Sequence, residues 1–432
     1  MRSDGTHSRT PRRTPAGGGS TAHVRGEIAA GLTPAAQWPA VGWENLPWKS
    51  SYPPDLLSRS ARAQLEEPYE AAITPGIADL EVRLPRATSS AAEEASNLIR
   101  EFDTEVGGEL APVAAILLRT ESASSSEIEN LTSGAKQVAL AELGEDARAN
   151  ATQIVGNVEA MRAAISLSAE LSAESILAIH RALVERFEPD IAGRWRCEQV
   201  WIGGGRISPH NAAFVPPRTD RVPGAIDDLV AFARRDDIPA LSHAAIAHAQ
   251  FETIHPFRDG NGRTGRALIH AMIRNRALTR NVTVPVSAGL LTDTRSYFAA
   301  LTAYRDGDVA PIVDAMSGAA HASIANGRTL VGDLRAARET WAAKVKARSD
   351  SAVWPLMDLV LRQPVVNTAL VQAQLGVNHS NAMKAIGRLV EVGALAEVGG
   401  RRRSILWQAS EVLSALDAFA ARAGRRQLDN RE

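Results

Sequence analysis

The chain has 432 residues, with hydrophobic residues at 45% and charged residues at 22%. At roughly 100–200 residues per domain this is room for two to four domains with buried cores. Lys+Arg (48) and Asp+Glu (49) nearly cancel to −1, which excludes a global electrostatic pull towards nucleic acid or an anionic membrane. The one cysteine, Cys197, excludes an internal disulfide, fits a reducing compartment and reads as a structural thiol.

Residues 1–25 are Arg, Thr, Ser and Gly with little to bury, and read as a disordered basic tail. No apolar stretch follows those arginines, so the segment does not read as a secretory signal. No apolar run approaches the roughly 20 residues of a membrane helix. The expectation is a cytoplasmic protein without membrane contact.

Residues 26–110 read as a mostly helical N-terminal region. Trp43, Trp48, Tyr52, Leu56 and Leu57 come in a Pro-rich stretch, 60–73 looks helical, and 91–110 is amphipathic, with Leu98, Ile99 and Phe102 on its apolar face. Further helices are expected at 128–143, 151–165, 173–185, 222–234, 239–254 and 263–276, each ending near Gly, Pro or Asn. One stretch breaks the pattern. Gln199–Ile202, three glycines, then Ala213–Val215 before two prolines read as a short β-hairpin.

A polar, Ala-rich helix over 316–350 looks like a linker. Residues 351–410 read as helices at 353–361, 368–375 and 380–390, then strands at 395–398 and 405–407 around Gly399-Gly400-Arg401-Arg402-Arg403. That is the order of a winged helix-turn-helix domain; residues 411–432 form a C-terminal helix or tail. The fold class is mainly α, in three parts, with no internal repeat.

The stretch that carries chemistry runs from His255 to Arg266, HPFRDGNGRTGR. Pro256, Gly260 and Gly262 prevent the preceding helix from continuing, and the next begins at about Arg263. Glycines before a helix N-terminus leave backbone N–H groups facing one concavity, an anion site. Arg263 and Arg266 are three apart and share a helix face. Asp259 is an oxygen ligand of the kind Mg²⁺ accepts beside phosphates. His255 titrates near neutrality and can take a hydroxyl proton. Alone, HPF is a turn with a core Phe, GNG a tight loop and the Arg pair a solvated face. Together, matched residues within twelve positions describe a phosphate-transfer site.

The string resembles the signature of the Fic (filamentation induced by cyclic AMP) family, HxFx(D/E)GNGRxxR, at every specified position. Around it, Ala192–Arg196 and Val200-Trp201-Ile202…Phe214-Val215 look like the family's upstream strand and flap, and Tyr297-Phe298…Asp308 like its downstream helix. The resemblance implies a Fic-type helical core at 151–315 with a short β-hairpin flap. It also implies a protein adenylyltransferase that moves AMP from Mg·ATP to a Ser, Thr or Tyr hydroxyl of a target protein. On that reading His255 is the general base and Asp259 holds Mg²⁺. Gly260 and Gly262 give backbone donors, Asn261 orients the α-phosphate, Arg263 neutralises the β-phosphate and Arg266 receives the γ-phosphate. Phe257 fixes the loop, and the flap (Val200, Trp201, Ile202, Phe214, Val215) holds a target segment by strand addition. Gly262 is the form seen in AMP-transferring members, where phosphorylating ones have Lys.

Within 111–150, Ser125-Ser126-Glu127-Ile128-Glu129-Asn130 resembles the family's inhibitory motif (S/T)xxxE(G/N). There the carboxylate, here Glu129, pairs with the second arginine of the signature, here Arg266, and blocks productive seating of the γ-phosphate. Ser126-x-x-Glu129 also has the spacing of a helix capping box. In some members the same glutamate positions a water for removing AMP, so a de-AMPylating activity stays open. Tyr297 flanks the adenine or packs in the core. No HExxH or Cys/His cluster suggests zinc, and no P-loop motif occurs.

The alternative from another class is a DNA- or partner-binding regulator with a nucleotide-sensing core. Its reading helix lies at 379–390 with Lys384 and Arg388 exposed and Arg401-Arg402-Arg403 in the wing. Self-modification and a homodimer also stay open.

Overall fold

The computed structural model describes residues 38–48, 67–107, 111–145, 147–204, 208–398 and 405–424. The basic tail 1–25 and the wing arginines 401–403 lie outside these residues. Two short strands, β1 (Gly42–Leu46) and β2 (Tyr69–Ile73), pair antiparallel with Trp43 opposite Ala72. The helix expected over 60–73 is therefore corrected: the part described is a strand, with Tyr69, Ala71 and Ala72 buried. Among its described residues the N-terminal region thus holds two strands before its long helix.

Helices follow: α1 (Arg86–Gly107), α2 (Ala111–Ile128), α3 (Ala135–Glu142), α4 (Ala149–Ser166), α5 (Ala173–Val184), α6 (Val222–Ala233), α7 (Ala240–Ile254), α8 (Asn261–Asn275), α9 (Val286–Leu291), α10 (Thr294–Arg305) and α11 (Ala310–Lys344). The expected helix over 128–143 is instead the junction of α2 and α3. Asn130, in the left-handed region at φ 61°, turns the chain there. Among the described residues, the expected hairpin is present as an antiparallel bridge, Ile202 to Phe214.

Every residue of α7 from Leu241 to Ile254 is buried. Its alanines and Ser242 let neighbours approach closely, and α1, α6, α8, α10 and α11 pack around it. The stretch read as a linker lies largely in the 35-residue α11, about 52 Å long. Far from bridging, α11 buries one face, including Met316, Ile324, Leu330 and Trp341, against α1, α9 and α10.

The C-terminal elements are α12 (Val353–Arg362), β3 (Val365–Asn367), α13 (Thr368–Leu375), α14 (His379–Glu391), β4 (Ala396–Val398), β5 (Leu406–Gln408) and α15 (Ser410–Gly424). The sheet has three strands in the order β3-β5-β4, one more than expected. Helices α12 and α15 pack on α2. No helix among the described residues is long and apolar enough to cross a membrane.

Candidate active site

The loop between α7 and α8 is held from several directions. His255 leaves the helix in the left-handed region (φ 50°, ψ 61°). Asn261 closes the loop on Phe257: its Oδ1 accepts from the Phe257 N–H at 2.8 Å and its Nδ2 donates to the Phe257 carbonyl at 2.8 Å. Asn261 thus closes the loop, which the sequence reading did not anticipate; its Nδ2 carries a second hydrogen beyond this bond. Phe257, fully buried, lies between the rings of His180 (3.7 Å, 5°) and Trp195 (5.0 Å, 28°).

His180 supports the loop in a second way. Its Nδ1 accepts from the Gly193 N–H at 3.1 Å, so Nε2 carries the hydrogen and donates to the Asp259 carbonyl at 3.1 Å. Burial lowers its pKa to about 4, so the ring is neutral at pH 7. Arg196 clamps the loop's entrance, donating its backbone N–H to the Pro256 carbonyl at 2.9 Å and its Nε to the His255 carbonyl at 2.9 Å. Gly260 is the N-cap of α8 at φ 78°, with Leu183 so close that a β-carbon would stand 2.8 Å from Leu183 Cδ2.

Above the loop is a cleft of about 240 Å³, lined by Glu129, His255, Asp259, Gly260, Gly262 and Arg263, among others. Burial, then the charges of Arg196 and Arg305, lower the His255 pKa to about 3. The imidazole is therefore neutral at pH 7, with a lone pair free to accept a proton. Arg263 is 3% exposed; one Nη2–H meets Asp259 Oδ2 at 3.0 Å, while Nε and Nη1 are buried and bond to nothing. Buried unsatisfied guanidinium donors beside the first, unpaired N–H groups of α8 suit an anion. The Asp259 side chain is half exposed at the rim. Among the described residues no three His, Cys, Asp or Glu are grouped to hold a metal. The single carboxylate fits Mg²⁺ all the same, since that ion keeps waters and phosphate oxygens as its other ligands.

Glu129 reaches into this cleft from the end of α2. Arg266, 1% exposed, donates Nη2 to Glu129 Oε1 at 2.9 Å and to the Ser125 carbonyl at 2.7 Å, and Nε to Ser125 Oγ at 2.9 Å. Burial alone would depress the guanidinium, but Glu129, Tyr297 and Glu252 raise it above its ordinary value. The capping-box alternative fails on geometry. Ser126 lies inside α2, its hydroxyl donating to the Ser122 carbonyl at 2.9 Å, and Glu129 lies beyond that helix's C-terminal end.

Three expectations change. Tyr297 is core, 1% exposed, its hydroxyl 2.7 Å from His248 Nε2; no face is left for an adenine. In the flap, Ile202 and Phe214 exchange backbone hydrogen bonds (2.8 and 3.2 Å), and Val200 and Trp201 are part-exposed. Phe214 and Val215, however, are buried, and the Val215 carbonyl accepts from the Ala72 N–H at 2.9 Å. That stretch of edge is already paired with β2. Cys197 is exposed rather than structural. Sequence reading gave no role to His180, Arg196 or Glu252; the last is a carboxyl one helical turn before His255, a spacing visible in the chain.

Comparison with known proteins agrees with the signature. Residues 170–273 match the Fic/DOC family. Over 159 residues the chain is 33% identical to protein adenylyltransferase fic-1 of Caenorhabditis elegans, covering 36% of this chain and 28% of that protein. Over 149 residues it is 27% identical to protein adenylyltransferase Fic of Nematostella vectensis, covering 34% and 32%. The chain thus spans less than a third of each of these curated relatives. A crystal structure of a Fic family protein from Desulfovibrio desulfuricans G20 is similar at 22% identity and a TM-score of 0.49, over 78% of this chain and 98% of that one. The part of the chain that matches the Fic/DOC family, residues 170–273, contains His255, Arg263 and Arg266.

Proposed function

We propose that the protein is an adenylyltransferase that moves AMP from ATP to a Ser, Thr or Tyr hydroxyl of a target protein and is held in check by Glu129. The observation that carries this reading is one cleft holding a neutral His255 beside the unsatisfied donors of buried Arg263 at the N-terminus of α8. His255 takes the proton as the hydroxyl oxygen bonds to the α-phosphorus, and the bond from that phosphorus to the bridging oxygen of the leaving pyrophosphate breaks. Arg263 and the helix N–H groups neutralise the departing charge. Bound Mg²⁺, held by Asp259, would add charge neutralisation between the phosphates. Arg266 would receive the γ-phosphate once Glu129 has left it.

The test is AMP incorporation from α-labelled ATP with Mg²⁺. Label is expected with Glu129→Gly, on the protein itself or an added lysate, and lost with Glu129→Gly/His255→Ala. A folded Glu129→Gly protein that binds ATP yet transfers no label would overturn the reading.

A second reading concerns residues 351–410 as a winged helix-turn-helix that binds DNA. Its support is the order of α12, β3, α13, α14, β4 and β5, with Ser380, Asn381 and Lys384 exposed on α14. Arg388 is spent within the chain, donating to the Lys346 carbonyl. A salt-dependent gel shift, lost when Arg401, Arg402 and Arg403 are changed, is the expected result; no shift at low salt would remove the reading.

A further inference from the structure

Glu252 lies in the last turn of α7, three residues before His255, which caps that helix in the left-handed region. Glu252 is only 6% exposed, and its Oε2 lies 3.8 Å from His255 Nδ1. Glu252 Oε1 and His255 Nδ1 are both buried and both lack a hydrogen-bond partner. An unsatisfied ring nitrogen beside a buried carboxyl group, whose nearer oxygen is Oε2, calls for a reason. Catalytic hydrogen bonds are often long before substrate binds. A closure of about 0.9 Å would bring this pair to ordinary hydrogen-bond length.

We propose, resting on the reading of His255 as general base, that Glu252 is its positioning residue, accepting the Nδ1–H and balancing the charge that forms on the ring. The target hydroxyl gives its proton to Nε2 as its oxygen bonds to phosphorus, and the ring becomes an imidazolium. Nδ1 keeps its hydrogen, donated to the Glu252 carboxylate, and no proton passes to Glu252. The carboxylate thereby fixes both the tautomer and the orientation of the base.

The surroundings of Glu252 suit this task. Arg266 on α8 and Arg305 on α10 favour its anion, while burial and Glu129 after α2 favour the acid. His248, Tyr297 and His255 complete the titratable groups around it, with His248 Nδ1 and Glu252 Oε1 both close to Gly265. Burial is the largest influence and raises the carboxyl pKa to about 7. Transfer is therefore expected to rise with pH through that value as the carboxylate forms.

The test uses the full chain carrying Glu129→Gly and adds Glu252→Gln, which keeps the shape and removes the charge. The expected result is a loss of about ten- to hundredfold in kcat with the KM for ATP unchanged, and loss of the rise through pH 7. Glu252→Asp, which keeps the charge on a shorter arm, should retain that rise and part of the rate, and serves where the Gln variant folds poorly. Parental kcat and pH profile in Glu252→Gln would overturn the inference. So would a raised KM with a lowered melting temperature and an unchanged profile, the mark of a structural role. If the Glu129→Gly parent itself transfers no label in a His255-dependent way, the failure lies with the proposed function instead.

Discussion

The Glu129 carboxylate stands directly over Gly262, where a β-carbon would overlap its Oε1. The same oxygen accepts a hydrogen bond from Arg266 at 2.9 Å. An acidic side chain thus lies over the helix N-terminus that the proposed reaction needs for phosphate, and absence of a side chain at residue 262 makes the space for it.

If this pair is the brake, its strength should scale with charge. A hydrogen bond to a charged group contributes about 1.5–3 kcal/mol, roughly ten- to hundredfold in an equilibrium. Glu129→Gly should raise AMP transfer by about that factor. Glu129→Gln, which still fits over Gly262 and can accept one hydrogen bond, should raise it less. Initial rates of label incorporation for the two variants check the order, and equal rates would remove the role of the carboxylate charge.

Asn261 makes a separate prediction. Its amide answers both the N–H and the carbonyl of Phe257, so Asn261→Ala leaves two buried backbone groups without partners, at about 1–3 kcal/mol each. The melting temperature should fall. Transfer in a Glu129→Gly background should fall further than the loss of folded protein explains, because His255 and Asp259 sit on the loop that the amide closes. Asn261→Asp, which keeps only the acceptor, should lie between the two.

What the chain made legible was local. Twelve consecutive residues hold His255, Asp259, Arg263 and Arg266, all of which line or adjoin one cleft, so a reading by spacing could group them. The four-residue step from Ser125 to Glu129 likewise fits one turn of helix and its end. The supports were not legible. Arg196 reaches His255 across 59 positions and His180 reaches Asp259 across 79, and nothing in either local sequence says so. Strand β2 was misread because YEAAI has Ala and Glu in a helix-like mix, and only its pairing with β1 makes it a strand. The polar, Ala-rich look of α11 misled in the opposite sense, since alanines and glycines serve close helix packing as well as exposed surface.

Arg119 on α2 ties the segment ending in Glu129 to two distant elements. Its guanidinium pairs with Glu142 on α3, and its Nη2 donates to Gln363 Oε1, just after α12, at 3.0 Å. Gln363 in turn donates to the Ala139 carbonyl at 2.9 Å and the Val365 carbonyl at 3.1 Å. Breaking a buried pair from one side costs about 3–5 kcal/mol; Arg119 and Glu142 are 10% and 16% exposed, so Arg119→Ala should fall near the lower end. Urea midpoints of Arg119→Ala, Glu142→Ala and the double variant should be non-additive, with the double costing less than the sum. Strict additivity would mean that the pair contributes nothing.

The pH dependence of stability follows from four histidines. Burial holds His180 at about 4, His248 and His255 at about 3, and His243 below its ordinary value. His180, His248 and His255 are therefore neutral in the folded chain at neutral pH and take up a proton when unfolded below about pH 6.5, and His243 shifts in the same direction. The unfolded state therefore binds more protons in that range, and stability rises with pH up to about 6.5 and falls below it. Glu252, raised to about 7, works the other way between about pH 4.5 and 7, as does Glu127, which burial also raises. With four groups against two, the balance is a loss of stability on acidification. Urea unfolding at pH 7.0 and 5.5 should show a lower midpoint at pH 5.5. His248→Gln, which removes one of the four titrations, should narrow that gap, and an unchanged gap would mean that His248 is not held neutral in the fold.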